Sequence, residues 1–356
     1  MKFERNLCRR LTVILPVKTR PLYTLRWLDY AEKTNFPFRI LIADGSGGKA
    51  LQKAMKARLR STSLDITYYR YPYDSTLLRF YKKMVSAVSR CKTPFVAMTD
   101  NDALLVPEGI CKSLSFLLKN RDYSTCRGQH IDFKLMSKEK PCIPLQGETL
   151  EVQHLYFNKK HSIWRSFEHP DPLTRISEWS HATNITFYNV HSRENILQAF
   201  RFLEKKRVSD IFMCDIILSL IALSRGKTRV LDTPYMLRQQ NSPEGESGRA
   251  RAKSDIFSRM FDETWAASVN RLARLVAENA RAQKNADIKK TTAAVLSSMI
   301  KHYGDRVYLH LAQQKRNSFD GLGSEEFVHK PGSKIRNFQS AWSPQISFLT
   351  KSKKSG

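Results

Sequence analysis

Two carboxylates one residue apart close a short apolar run in Thr93-Pro-Phe-Val-Ala-Met-Thr-Asp-Asn-Asp102. A run such as Phe95-Val-Ala-Met98 reads as a buried strand. Acids at the end of a buried strand are costly unless they face a cleft or hold a cation. In a twisted parallel sheet, ligands bind beyond the carboxyl ends of the strands. Asp100 and Asp102 therefore stand where a metal–phosphate group is expected. Hard cations such as Mg2+ or Mn2+ take carboxylate oxygens, and Mg2+ keeps waters while binding substrate phosphates. One or two carboxylates suit such a metal–diphosphate complex better than a closed protein cage. The competing reading is a strand-end turn in which Asp and Asn cap the next helix. The triplet alone does not separate the two.

Two further acids have comparable settings. Asp44 ends the apolar run Phe38-Arg-Ile-Leu-Ile-Ala43 and leads into Gly45-Ser46-Gly47-Gly48. Glycines let the backbone approach a ligand closely, and the carboxylate can accept hydrogen bonds from a base or a ribose. A plain Gly-rich turn is the alternative, and the dinucleotide fingerprint GxGxxG is absent. Asp215 lies inside Met213-Cys-Asp-Ile-Ile-Leu-Ser-Leu-Ile-Ala-Leu223, a helix apolar almost all round and hence buried. Such an acid either caps the helix or acts as a general base. Asp210, following Ser209, is the better-placed cap, which favours Asp215 as the base.

The elements that must position these acids alternate regularly. Strands are expected over 11–17, 38–43, 65–69 and 95–98, and helices over 21–33, 51–59 and 77–90. Strand alternating with helix is the pattern of a mostly parallel, Rossmann-like α/β sheet flanked by helices. Beyond Asp102 the spacing predicts a helix over 103–119, introduced by Pro107, and an irregular stretch over 123–175. A strand is expected at 184–188, helices at 194–206 and 210–225 with Gly226 as C-cap, and a strand at 228–231. The expected organisation is a catalytic α/β domain over 8–241, a helical C-terminal extension over 249–330, and a basic, weakly ordered tail over 331–356.

Of the 356 residues, 60 are Lys or Arg and 33 Asp or Glu, a net charge of +27. Such a chain is drawn to nucleic acid, anionic membrane surfaces or nucleotide-bearing substrates, unless the surface is basic without a specific partner. Six cysteines form no CxxC pair and have no His at zinc-ligand spacing. They read as reduced, packing thiols of a cytoplasmic protein. No stretch reaches the roughly 18 apolar residues of a membrane span, and the N-terminus lacks an apolar signal core. Arg79, Lys82 and Lys83 read as a solvated basic face, and Trp179 as core.

In order and spacing these segments carry a resemblance. Leu11-Thr-Val-Ile-Leu-Pro-Val, then Ile40-Leu-Ile-Ala-Asp-Gly-Ser, then Pro94-Phe-Val-Ala-Met-Thr-Asp-Asn-Asp, resemble the start of family-two-type glycosyltransferases of the GT-A fold. Cys214-Asp and its apolar helix resemble the family's Glu-Asp helix, followed by Gly226, Tyr235 and Arg238. The likeness covers about residues 10 to 240, and Cys214 replaces the first acid of the pair. It implies a nucleotide-sugar site formed by Pro16, Asp44, Ser46, Asp100 and Asn101, with Mn2+ or Mg2+ on Asp100 and Asp102. It also implies that Asp215 deprotonates an acceptor hydroxyl, giving transfer with inversion; Asp210 is the rival base. The acceptor would be a glycan, a lipid-linked molecule or another hydroxyl compound. The basic C-terminal helices suggest a peripheral contact with the anionic inner face of the membrane. The rival functions are a nucleotidyltransferase, for which Leu15-Pro-Val-Lys-Thr-Arg20 is a poor phosphate loop, and a basic nucleic-acid-binding protein.

Overall fold

The computed structural model describes residues 4–18, 20–136, 149–155, 164–180, 182, 184–208 and 211–239, and a few positions beyond, chiefly 293–297. In chain order the elements are α1 (Arg5–Cys8), β1 (Leu11–Val17), α2 (Pro21–Lys33), β2 (Arg39–Asp44), α3 (Ala50–Ser61) and β3 (Ile66–Arg70). There follow α4 (Leu77–Arg90), β4 (Phe95–Met98), β5 (Ala103–Leu105), α5 (Pro107–Lys119), β6 (Tyr123–Met136) and β7 (Thr149–Leu155). The last are α6 (Pro172–Ser180), β8 (Val190–Ser192), α7 (Arg193–Lys206), α8 (Ile211–Arg225) and β9 (Lys227–Gln239).

The strands form one sheet in the order β3-β2-β1-β4-β8-β6-β9-β5, with β7 added on β6. The half from β3 to β4 is parallel throughout. The other half is mixed, with β8 antiparallel to β4 and β6, and β6 parallel to β9. Parallel strands need crossover helices on their faces. Accordingly Val13, Ile14, Leu15, Ile40, Ile42, Val96 and Met98 are fully or almost fully buried. Pro16 is compatible with a central strand for a local reason. The Thr99 amide bonds the Ile14 carbonyl on the β4 side and the Gly45 amide bonds the Val17 carbonyl on the β2 side. By alternation, Pro16 faces the β4 side, past the end of β4's register, where its missing N–H leaves no ladder bond unmade.

Helix α2 is pinned to the sheet by two polar tips of otherwise apolar side chains. Trp27 Nε1 donates to the Ala103 carbonyl at 3.0 Å and the Tyr30 hydroxyl to the Leu105 carbonyl at 2.8 Å. Helix α4 buries Tyr81, Met84, Ala87 and Val88 and is capped by the Thr76 hydroxyl, which accepts from the Arg79 amide.

The second half departs from expectation in four places. The expected helix over 103–119 divides into β5 and α5. Pro107 holds Val106 extended (φ −89°, ψ 114°) and opens α5 at its first turn. The irregular stretch over 123–175 contains the 14-residue strand β6, together with β7 and α6. Register shifts along β6 between residues 123 and 130 break the period-two pattern by which a strand is recognised. The strand expected at 184–188 lies instead at Val190–Ser192. The 184–188 backbone is engaged elsewhere: Trp179 Nε1 donates to the Asn184 carbonyl, and the Thr186 amide to Ser219 Oγ. Strand β9 runs for 13 residues rather than four, its length hidden by Asp232-Thr-Pro234 in the middle. The expected extension over 249–330 falls almost wholly outside the described residues, although Ala273 and Val295 are buried in the common core. The tail over 331–356 lies outside them. Among the described residues no helix is long and apolar enough to cross a membrane.

His191, on β8, is buried, and its Nε2–H donates to the Thr186 carbonyl at 2.6 Å. Burial pushes its pKa from 6.5 to about 4. Below the unfolded value the unfolded chain takes up a proton that the folded chain refuses. The contribution is therefore complete above pH 6.5 and is lost as pH falls toward 4. At about 1.4 kcal/mol per unit, lowering pH from about 7.5 to about 5 should cost about 2 kcal/mol. Urea denaturation at both pH values should show this loss, with most of it removed in His191→Gln. An equal loss in that variant contradicts the assignment.

Candidate functional site

The strand ends converge. Met98 pairs beside Ile14, and Asp44 beside Val17, so Asp44 and the Asp100-Asn-Asp102 turn lie at the same carboxyl edge of the parallel strands, separated by β1. Two strand spacings place them on the order of 10 Å apart. From the other side, β9 ends against the turn: Ala103 pairs with Arg238, and the Gln239 amide donates to the Asp102 carbonyl at 2.9 Å.

The two turn carboxylates have different partners. Asp102 is 5% exposed, and its Oδ2 accepts from Arg20 Nη1 at 2.8 Å. Asp100 Oδ2 accepts from the Tyr188 hydroxyl at 2.6 Å. Burial first, and the neighbouring Asp102 second, raise the Asp100 pKa, while Arg238, Tyr188 and Arg20 oppose the rise. Burial likewise raises the Tyr188 phenol, and the Arg238 guanidinium lies over its ring at 5.3 Å. Asn101 turns inward, donating to the Arg20 carbonyl at 3.2 Å and to Thr24 Oγ1 at 3.1 Å. The turn thus grips the start of α2 through Asn101 and Asp102 together. Arg26, one turn along α2, donates to Gln239 Oε1 at 2.8 Å and stacks on Tyr23, and its burial lowers its pKa to about 10.

On the β2 side, Asp44 is fully buried. Its Oδ1 accepts from the Ser46 amide at 2.8 Å and its Oδ2 from the Tyr68 hydroxyl. Next to it lies a pair that the sequence did not suggest. Lys83, expected on a solvated face, is 3% exposed; it pairs with Asp74 and donates to the Val17 carbonyl at 3.0 Å. Burial raises the Asp74 pKa and lowers that of Lys83, each opposed by the other's charge. Gly45 serves this pair: a Cβ there would collide with the Asp74 carboxylate. Gly45→Ala should therefore displace Asp74 and cost about 1–3 kcal/mol of stability, as overpacking does, measurable by urea unfolding. Gly48→Ala, in open space, should be nearly neutral, and equal effects would refute this role of Gly45.

Asp215 lies on the first turns of α8, partly buried. The topology brings this end of α8 to the same edge. β8 finishes beside Phe95 at the start of β4, α7 returns along the sheet, and α8 starts where α7 ends. One turn beyond Asp215, Ser219 Oγ accepts from the Thr186 amide, two residues before Tyr188. Asp210 lies outside the described residues. A groove of about 490 Å³ between α4 and α7 is lined by Leu78, Lys82, Arg201, Glu204, Lys205 and Arg207. Arg20, Tyr188 and the Asp74–Lys83 pair carry no sequence signal of their own, because each becomes a neighbour of the acids only through long-range packing.

Hard carboxylate donors at Asp100 and Asp102 suit Mg2+ or Mn2+. Among the described residues no cluster of three acidic, His or Cys side chains could hold a metal by itself. A cation held by this pair would have to complete its shell with water and a ligand's phosphates.

Neither a protein-family model nor a curated protein sequence matches the chain. Among solved structures it is similar to TarS of S. aureus, residues 1-349, in complex with UDP-GlcNAc, at 14% identity and a TM-score of 0.51, over 83% of this chain and 73% of that one. It is also matched with a mannosyltransferase, PcManGT from Pyrobaculum calidifontis, in complex with GDP-Man and Mn2+, at 12% identity and a TM-score of 0.45, over 95% and 85% of the two chains. At such identities the likeness is one of fold, and it agrees with the mixed sheet and its flanking helices: the chain has a GT-A-like fold.

Proposed function

We propose that the chain is a glycosyltransferase that moves a sugar from a nucleotide-diphosphate donor to an acceptor hydroxyl, with inversion and with the help of a divalent cation. The observation that carries this reading is the meeting of Asp100, Asp102, Tyr188, Arg20 and Arg238 at the carboxyl edge of a GT-A-like sheet that also presents Asp44. The general rule for open α/β sheets puts a ligand at that edge.

In this reading Asp44 accepts hydrogen bonds from the base or ribose, alongside Pro16 and Ser46. Asp100 and Asp102 would hold Mn2+ or Mg2+, which when bound draws off charge growing on the leaving diphosphate. Arg238 adds a fixed positive charge beside Asp100 and favours the same build-up. Asp215 takes the proton of the acceptor hydroxyl as it attacks the anomeric carbon from the face opposite the diphosphate. Asn101 contributes by holding the start of α2 against the turn. Calorimetric titration with UDP- and GDP-sugars, with and without Mn2+, should show Mn2+-dependent binding of one class that is lost in Asp100→Asn. Failure of every nucleotide sugar to bind would overturn the proposal.

A second reading, binding of nucleic acid, draws on the groove between α4 and α7, where Lys82, Arg201, Lys205 and Arg207 face a single acid, Glu204. It requires salt-sensitive binding to random DNA, weakened by charge reversal at Lys82 and Arg201, together with no affinity for nucleotide sugars.

A further inference from the structure

We infer that Arg20 competes with a divalent cation for Asp102: its guanidinium neutralises that carboxylate, and it is released to the donor's diphosphate when the cation takes over the carboxylate. The inference rests on the proposed transferase reading, but its central test does not need a nucleotide.

Four observations lead to it. First, two carboxylates stand one residue apart in a protein-lined turn, with Asp102 only 5% exposed. Such a pair needs a nearby cation. Second, Arg20 lies in contact, at 2.8 Å from Asp102 Oδ2, with Arg20 only 13% and Asp102 only 7% exposed at their side chains. An ion pair this sheltered is little screened, so it competes directly with a metal for the same oxygen. Third, Arg20 has left-handed backbone angles, φ 63° and ψ 59°. A non-glycine residue adopts these at a cost, and such conformations cluster where a segment has two states. Fourth, the strained residue is clamped by the same turn that would hold the metal. Asn101 Nδ2 donates to the Arg20 carbonyl, so the turn fixes the backbone, while the guanidinium reaches Asp102 and lies over the Tyr23 ring at 5.2 Å.

The physical consequence is a coupling. A metal arriving alone must displace Arg20 and leave a guanidinium beside a second positive charge, so it binds weakly. A metal arriving with a nucleotide diphosphate gives Arg20 a new anionic partner, and guanidinium matches phosphate oxygens well. Metal and diphosphate should therefore strengthen each other's binding, by a factor in the common range of about 5–150. Arg20 is a positioning residue in this scheme, not a group that takes part in bond making.

The test is Mn2+ binding to the nucleotide-free protein, followed by electron paramagnetic resonance, together with melting temperature. Arg20→Gln removes the competitor. It should bind Mn2+ alone about tenfold or more tighter than the wild type, and its melting temperature, lowered without metal, should recover when Mn2+ is added. Arg20→Lys keeps a competing charge and should stay close to the wild type. Adding Asp102→Asn to Arg20→Gln should abolish the gain, and UDP or GDP should tighten Mn2+ binding in the wild type much more than in Arg20→Gln. Equal or weaker Mn2+ binding by Arg20→Gln overturns the inference, as does a gain that survives Asp102→Asn. An Arg20→Gln protein that remains unfolded in the presence of Mn2+ also counts against it. Failure of nucleotides to bind while the metal-only difference persists would instead remove the transferase reading and leave the role of Arg20 standing.

Discussion

Lys83→Met should lower the folding free energy by about 3–5 kcal/mol, because it strands the Asp74 carboxylate in the interior. Lys83 and Asp74 are each 3% exposed and paired, and Lys83 also donates to the Val17 carbonyl at the end of β1, which accepts from the Gly45 amide as well. Burial already biases both groups toward neutrality, raising Asp74 and lowering Lys83. The loss therefore comes from the group left behind more than from the net worth of the pair, since replacing both partners with apolar groups is often neutral. The double variant Lys83→Met with Asp74→Leu should accordingly recover most of the stability, which urea unfolding of the two single variants and the double variant would reveal. A single-variant loss under about 1 kcal/mol, or a double-variant loss equal to the sum of the two, would show that the pair is not an isolated buried ion pair. Asp44 adjoins it, so on the proposed nucleotide-binding role of Asp44, nucleotide affinity should fall along with stability in the single variant.

On the proposed role of Asp215 as general base, Asp215→Asn should reduce turnover by about a hundred- to ten-thousand-fold while leaving donor binding nearly intact. The amide keeps the shape of the carboxylate but cannot take the acceptor's proton. Steady-state kinetics, paired with calorimetric donor binding, separate the two effects. Asp210→Asn serves as the comparison and should cost far less. A large loss confined to Asp210→Asn would transfer the base role to that residue. Comparable losses in donor binding and turnover for Asp215→Asn would instead indicate a role in holding the nucleotide.

The parallel half of the sheet was readable from short-range pattern. Leu11–Val17, Arg39–Asp44 and Phe95–Met98 are apolar runs bounded by helical periodicity, and burial on both faces demands that composition. The mixed half was not, since β6 and β9 pair with each other through register shifts, and Asp232-Thr-Pro234 interrupts the apolar pattern of the continuous strand β9. Bulged strands lose the alternation on which recognition from sequence depends.

By itself the sequence determined that Asp44, Asp100 and Asp102 end apolar strands, because strand ends are set by where local hydrophobicity stops. Only the tertiary structure decided what surrounds them. Arg20 reaches Asp102 across 82 residues, Tyr188 reaches Asp100 across 88, and Arg238 arrives on the last strand, beside Ala103. Such contacts are products of chain topology rather than of neighbouring side chains. The same holds for Lys83: a basic residue on an amphipathic helix reads as solvated until the fold shows Asp74 waiting beneath it.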